Sequence, residues 1–215
     1  RELGDLRRFV KVGGEIKHFI TNKKSQWAFR AYGGYGYIYG KTDTDPGPEQ
    51  NITNENTLPF FKAFVAGGPY SMRAWQIRRL GPGSSTLYNP GDTVAIERFG
   101  NMQLELNAEY RFNVTTIAGI KVNSAFFVDI GNIWSKEIGP DNKPIPEASF
   151  HIDRFFKDLA IGAGTSLRFD FDFFLIRLDW AYKLKDPLYA NIINGWMQKL
   201  NVFDGQFQLG IGHPF

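Results

Sequence analysis

The chain has 215 residues and 25 Lys and Arg against 22 Asp and Glu, for a formal charge of +3, and it contains no cysteine. The missing thiols exclude disulfides, thiolate metal sites and a cysteine nucleophile. Basic residues spread along the chain lack the one-sided positive face of a nucleic-acid binder, so no nucleic-acid partner is expected. Aromatics make up 16% of the residues (20 Phe, 9 Tyr, 5 Trp), yet mean hydropathy is only −0.29. That mixture suits strands that are apolar on one side and polar on the other. No window reaches the 18 or so apolar residues of a membrane-spanning helix. The opening "RELGDLRRFV" has no apolar signal core, which reads as either a cytosolic chain or a piece that has lost its N-terminus.

In chain order, weak period-2 alternation runs through 6–20 and 26–40, with a short turn near 21–25. A long loop, 41–98, follows. The clearest pattern lies in "NMQLELNAEYRF", 101–112. Met102, Leu104, Leu106, Ala108, Tyr110 and Phe112 alternate with Asn101, Gln103, Glu105, Asn107, Glu109 and Arg111. This predicts a strand with one apolar and one polar face. A short turn is expected near 113–117, then a strand over 118–134 and a long loop over 135–158. The segments 159–170 and 174–183 alternate again across a short turn at 170–173, and Arg168, Arg177 and Asp179 fall on their polar sides. After a loop at 184–205, a last strand is expected over 206–215, with Phe207, Leu209, Ile211 and Phe215 on one face and Pro214 removing a ladder donor near its end. The count is seven strands and no convincing amphipathic helix.

Strands of about 10–15 residues exceed the usual 5–6 of soluble sheets and match the 9–11 or more needed to cross an outer membrane at a tilt. Short turns alternating with long loops are the asymmetry of a transmembrane barrel, with short turns periplasmic. On that reading 6–20, 99–112, 159–170 and 206–215 run inward. Trp27, Tyr110, Phe112, Trp134, Trp180 and Tyr182 are the expected interfacial girdle. A soluble β-sandwich or lipocalin-like barrel is the alternative; the Gln, Asn, Glu, Arg and Gly of the polar sides suit a wet lumen better. Seven strands cannot close a polar-lumen barrel, and open edges cannot face lipid. The expected fold is therefore the C-terminal part of a larger all-β antiparallel barrel, filling residues 1–215 as part of one domain.

Enzyme chemistry finds no support. "GYGYIYGKT", 34–42, has Tyr35 where a phosphate-binding loop needs Gly. His18, His151 and His213 lack metal-ligand spacing, and Ser84 and Ser85 sit in no nucleophile elbow. Asp170, Asp172 and Asp179 read as turn and lumen carboxylates, and Asn51-Ile52-Thr53 is a sequon of little weight. No cofactor, metal or catalytic residue is expected.

The loop segment "FVAGGPYSMRAWQIRRLGPG", 64–83, is too apolar and glycine-rich for a solvated connection. With "LPFFKAFVA" before it, "GGPYSMRAW" resembles the sixth extracellular loop of the BamA/TamA-type outer-membrane assembly family. "FFVDIGNIW", 126–134, resembles that family's Phe-x-Asp-x-Gly strand; "GAGTSLRFD…IRLDWAYKL" its next-to-last hairpin; "FQLGIGHPF" its final strand. The resemblance covers nearly the whole chain and implies the last seven strands of a sixteen-stranded barrel, with loop 41–98 folded into the lumen. The N-terminal strands and the periplasmic POTRA domains would lie outside the sequence.

The resemblance assigns roles residue by residue. Gly67 and Gly68, with Pro69, turn the chain inward; Met72 and Trp75 seat the loop tip; Arg73 meets acidic groups on the wall. Asp129 of the strand motif, Glu109 on the preceding strand and Gly131 are the expected lumen partners. Ala74 stands where the family motif has Gly, which suggests the TamL-type branch. Phe207, Leu209, Ile211 and Phe215 match the C-terminal strand signal. The alternation places Glu109 on the polar side independently, and an unpaired Asp129 inside "AFFVDIG" would be costly.

The implied function is non-enzymatic assembly or insertion of outer-membrane β-barrel proteins by strand pairing and local membrane destabilisation, in a Gram-negative outer membrane. Its partners would be outer-membrane lipid, unfolded β-barrel clients and accessory or periplasmic subunits. Alternatives are a two-partner-secretion transporter of the same superfamily and a passive porin.

Overall fold

The computed structural model describes residues 8–40, 57–59, 61–85, 98–136, 145–197 and 202–215. The sequon at 51–53, the expected strand start at 6 and 7, and the end of the 34–42 glycine segment lie outside them. Seven strands form one antiparallel sheet in strict sequence order: β1 (Arg8–Thr21), β2 (Ser25–Gly40), β3 (Met102–Ile117), β4 (Ile120–Trp134), β5 (Ala160–Asp170), β6 (Leu175–Lys185) and β7 (Gln206–Ile211). β1 to β4 are 14–16 residues long. The only α-helical piece among the described residues is α1 (Phe155–Asp158).

One face is apolar and exposed. Leu106 is 58% accessible, and Trp27, Phe29, Tyr35, Tyr37, Phe126, Trp180, Phe207, Leu209 and Ile211 are exposed as well. Period-2 geometry sends their sequence neighbours to the other face. There Gln103, Glu105, Asn107, Glu109 and Arg111 of β3 are buried, as are Ser166 and Arg168 of β5 and Arg177 and Asp179 of β6. This inverts a soluble sandwich, whose apolar face would be the covered one.

The polar face is covered by the loop. Residues 58–85 supply Leu58, Phe64, Ala66, Met72, Ala74, Trp75 and Leu80, seven of the eleven buried residues in the apolar cluster; the sheet gives only Phe127, Ile133, Ala160 and Ala181. A sheet with a polar inner face has no core of its own, so the loop brings one. The glycines of β2 make its floor. A Cβ on Gly34 would lie 2.4 Å from Phe64, and one on Gly36 would lie 2.4 Å from Leu58. The segment that looked superficially like a phosphate loop is thus a docking surface for loop side chains.

Three expectations change. The turn expected near 113–117 lies at Ala118-Gly119, φ 51° and 85°, a two-residue hairpin of the kind that matches strand twist. β3 continues through 113–117 with a bulge between Asn113 and Thr115. The last strand ends at Ile211, not 215: Gly212 (φ 80°) turns the chain, and Phe215 leaves the outer face to lie 5.5 Å from the Arg111 guanidinium. Finally, Trp134 does not join the girdle. It is 1% exposed and its Nε1 donates to Asp158 (3.3 Å), because residues 145–158 fold over this end of the sheet. A row of aromatics does line the short-turn end, with Trp27–Tyr110, Tyr110–Phe112 and Phe112–Phe126 centroids at 4.8, 5.8 and 5.7 Å.

Candidate functional site

The site is where the loop tip meets β3 and β4. Gly67 (φ 104°) and Gly68 (φ 93°) adopt backbone that favours glycine, and a Cβ on Gly67 would lie 2.0 Å from the Gln76 carbonyl oxygen. That close approach lets the Gly68 N–H donate to the Trp75 carbonyl (2.8 Å). The loop therefore doubles back, and Arg73 stands at its tip.

Register pairs Asn107 with Asp129 and Glu109 with Phe127, so Glu109 and Asp129 project from adjacent strands on the loop side. Arg73 takes both. Its Nε and Nη2 donate to Asp129 Oδ2 and Oδ1 (2.9 and 2.8 Å), and its Nη1 donates to Glu109 Oε2 (2.6 Å). Its backbone N–H adds a bond to Asp129 (3.0 Å). The guanidinium lies 3.5 Å from the Phe127 ring centroid. All three charged side chains are fully buried. Three guanidinium donors reaching two carboxylates require the planar fork of Arg; a Lys ammonium has no equivalent geometry.

The carboxylates have further partners. Asn107 Nδ2 donates to Asp129 (2.9 Å). Glu109 also accepts from Arg111 Nε (2.5 Å) and from Arg168 Nη2. A buried ion pair is costly unless its remaining hydrogen-bonding capacity is met, and here Asp129 collects four donors and Glu109 three. Beside this centre Ser71 Oγ donates to Glu105, which also accepts from Arg30 (2.8 Å).

The remaining assigned residues sit around the fork. Met72 and Trp75 are buried in the apolar cluster. Ala74 is accommodated by a complementary gap: a Cβ on Gly162 of β5 would lie 2.7 Å from the Ala74 Cβ. Gly131 lets strands approach, since a Cβ there would lie 2.4 Å from the Leu104 carbonyl oxygen. Phe207, Leu209 and Ile211 share the exposed face of β7, and Phe215 lies apart from them.

Several partners of the loop were not singled out from the sequence. Gln208 Nε2 of β7 donates to the carbonyls of Arg73 (3.3 Å) and Trp75 (3.0 Å). Arg168 and Arg177 reach the same region. Their polar-side parity was visible; their height along the strand relative to the loop was not. A second buried cluster fastens the far end of the loop. Asp158 accepts from Ser84 Oγ (2.7 Å) and Trp134 Nε1, and Asn132 Nδ2 donates to the Gly83 carbonyl (2.9 Å). Lys185 Nζ donates to the carbonyls of Phe156, Lys157 and Leu159 (2.6, 2.8 and 2.7 Å), capping α1. Burial pushes the Asp158 carboxyl above its ordinary value, with the Ser84 and Trp134 hydrogen bonds pulling the other way. Past the end of β7, His213 is exposed along one side, and partial desolvation of its ring, then the Arg111 and Arg168 cations, hold the imidazole down to about 4.

Among the described residues no group of His, Cys, Asp and Glu is arranged to hold a metal ion. A meander with an exposed apolar face and a polar face filled by its own loop is the wall of a membrane β-barrel. The chain belongs to the Omp85 superfamily, whose domain model matches residues 2–215. This carries the BamA/TamA-type resemblance and places the chain among outer-membrane proteins serving protein assembly and transport. No curated protein matches the chain.

Proposed function

We propose that the chain is the C-terminal, loop-bearing part of a sixteen-stranded barrel that inserts β-barrel clients into the outer membrane, working by strand pairing and local membrane destabilisation and without catalytic chemistry. The observation that carries the reading is the fully buried Arg73 fork on Asp129 and Glu109. The lock would stabilise a passive pore as well, but a wide diffusion pore needs an open polar face, whereas here the loop fills it. An insertion factor needs its wall held in shape while its edges exchange partners. The short β7, six residues against sixteen in β3, supports an exchangeable edge of that kind. Ala74 beside Trp75 supports placement in the TamL-type branch. The clients are unfolded β-barrel chains, and accessory or periplasmic subunits would deliver them.

The test is reconstitution of the full-length protein in liposomes with an unfolded barrel client. Faster client insertion than in protein-free liposomes, with small and erratic conductance, is the expected result. Large steady conductance without insertion indicates a porin. Passage of an extended polypeptide without insertion indicates a secretion transporter.

A further inference from the structure

Among the described residues β7 ends the sheet, paired with β6; its other edge is the one that the first strand of the proposed barrel would meet and that a client strand would reach by exchange. In an antiparallel pair, successive residues turn their N–H and C=O alternately toward the partner and away from it. The Gly212 N–H donates to the Leu175 carbonyl (2.7 Å), so Gln208, Gly210 and Gly212 face β6. The backbone groups of Phe207, Leu209 and Ile211 face that other edge.

At Ile211 both edge groups are already taken. The Ile211 N–H donates to the Tyr70 hydroxyl (3.1 Å), and that hydroxyl donates to the Ile211 carbonyl (2.7 Å). One side-chain oxygen does here what a whole partner residue does in a ladder, accepting one bond and donating the other. The hydroxyl occupies the place where the next strand's backbone would sit, within the roughly 4.8 Å spacing between strands.

The hydroxyl is held there by design of its surroundings. Tyr70 follows Gly67-Gly68-Pro69, so the turn that aims Arg73 at the wall also aims Tyr70 at the edge. Arg177 Nη2 of β6 donates to the Pro69 carbonyl (2.5 Å), and its guanidinium lies 5.6 Å from the Tyr70 ring centroid. To get there it passes over Gly210, where a Cβ would lie 2.6 Å from Nη2.

We infer that Tyr70 is a stop on the pairing edge of β7. An extended strand adding to that edge forms rungs at Phe207 and Leu209, and it reaches Ile211 only by displacing the Tyr70 hydroxyl. The partner it fits is an extended polypeptide with alternating apolar side chains, to continue the exposed face of Phe207, Leu209 and Ile211. That the partner is a client strand rests on the proposed function; the occupancy of the Ile211 rung does not.

The test uses full-length protein with Tyr70→Phe, which keeps the ring over Arg177 and removes only the hydroxyl. Backbone hydrogen exchange at Ile211 is expected to quicken about tenfold, as loss of one hydrogen bond allows, with Phe207 unchanged. Unaltered exchange at Ile211 overturns the stop. In client-loaded liposomes, disulfide trapping of a client strand by Ile211→Cys is expected to rise several-fold in the Tyr70→Phe background, while trapping by Phe207→Cys stays constant. Quicker exchange with unaltered trapping at 211 overturns the competition with a partner strand. Absence of client insertion by the wild-type protein would sink the client reading and leave the exchange result to decide the stop.

Discussion

The loop is attached to the sheet in two unlike ways. At β3 and β4 it is held by charge: Arg73 is fully buried and reaches two carboxylates through its fork. At β7 it is held by neutral groups, with Gln208 donating to two loop carbonyls and Tyr70 bonding the backbone of Ile211 on a half-exposed ring. Breaking a buried pair leaves uncompensated charge and costs several kcal/mol. Exchanging a neutral hydrogen bond for another costs on the order of 1 kcal/mol or less. The same loop thus has a charged, fully buried attachment at β3 and β4 and a neutral, more readily exchanged one at β7.

The comparison breaks first at Arg73. Arg73→Ala leaves Asp129 and Glu109 buried without their main shared cation and should lower barrel stability by about 3–5 kcal/mol, read as an earlier denaturant midpoint of the full-length protein. Arg73→Lys restores the charge without the fork and should lose less. Equal losses would mean that the fork geometry is irrelevant.

At the other attachment, Gln208→Ala removes two neutral bonds and should cost about 1–2 kcal/mol. Its signature is raised backbone exchange in β7 with β3 and β4 unchanged. A loss as large as that of Arg73→Ala would erase the distinction between wall and edge.

The smallest effect concerns the chain just past β7. His213 is held near 4, below its ordinary 6.5, so the folded state binds fewer protons than the unfolded one. Stability from this contact is complete above the ordinary value and is lost as pH falls toward 4. Residues 212–215 should therefore loosen over that window, with His213→Gln flattening the response. An imidazole resonance titrating at its ordinary value would contradict the placement of the ring beside the Arg111 and Arg168 cations.

Much of this was legible in advance. Strict alternation over 101–112 defined β3, and the parity of Glu109 put it on the loop side. The loop motif pointed to Arg73 and Asp129 through resemblance. What stayed hidden depends on relations between strands that a linear pattern does not carry. Gln208 meets Arg73 across 135 residues and Tyr70 meets Ile211 across 141, and each pairing needs the register of several strands at once. The gap at Gly162 that receives Ala74 is invisible until the loop is seated. Trp134 has the composition of a girdle residue, and only the segment folded above it makes it a buried donor to Asp158. Asp158 and Ser84 lie in connections with no periodicity to read.

Whether the charge-locked loop supports client insertion, as proposed, is decided most directly by the client insertion rate of folded, liposome-reconstituted Arg73→Ala and Arg73→Lys beside wild type. The account predicts a rate ordered wild type, then Lys, then Ala, with protease access to the loop rising in the same order. Wild-type insertion by an Arg73→Ala protein whose loop is released would contradict it.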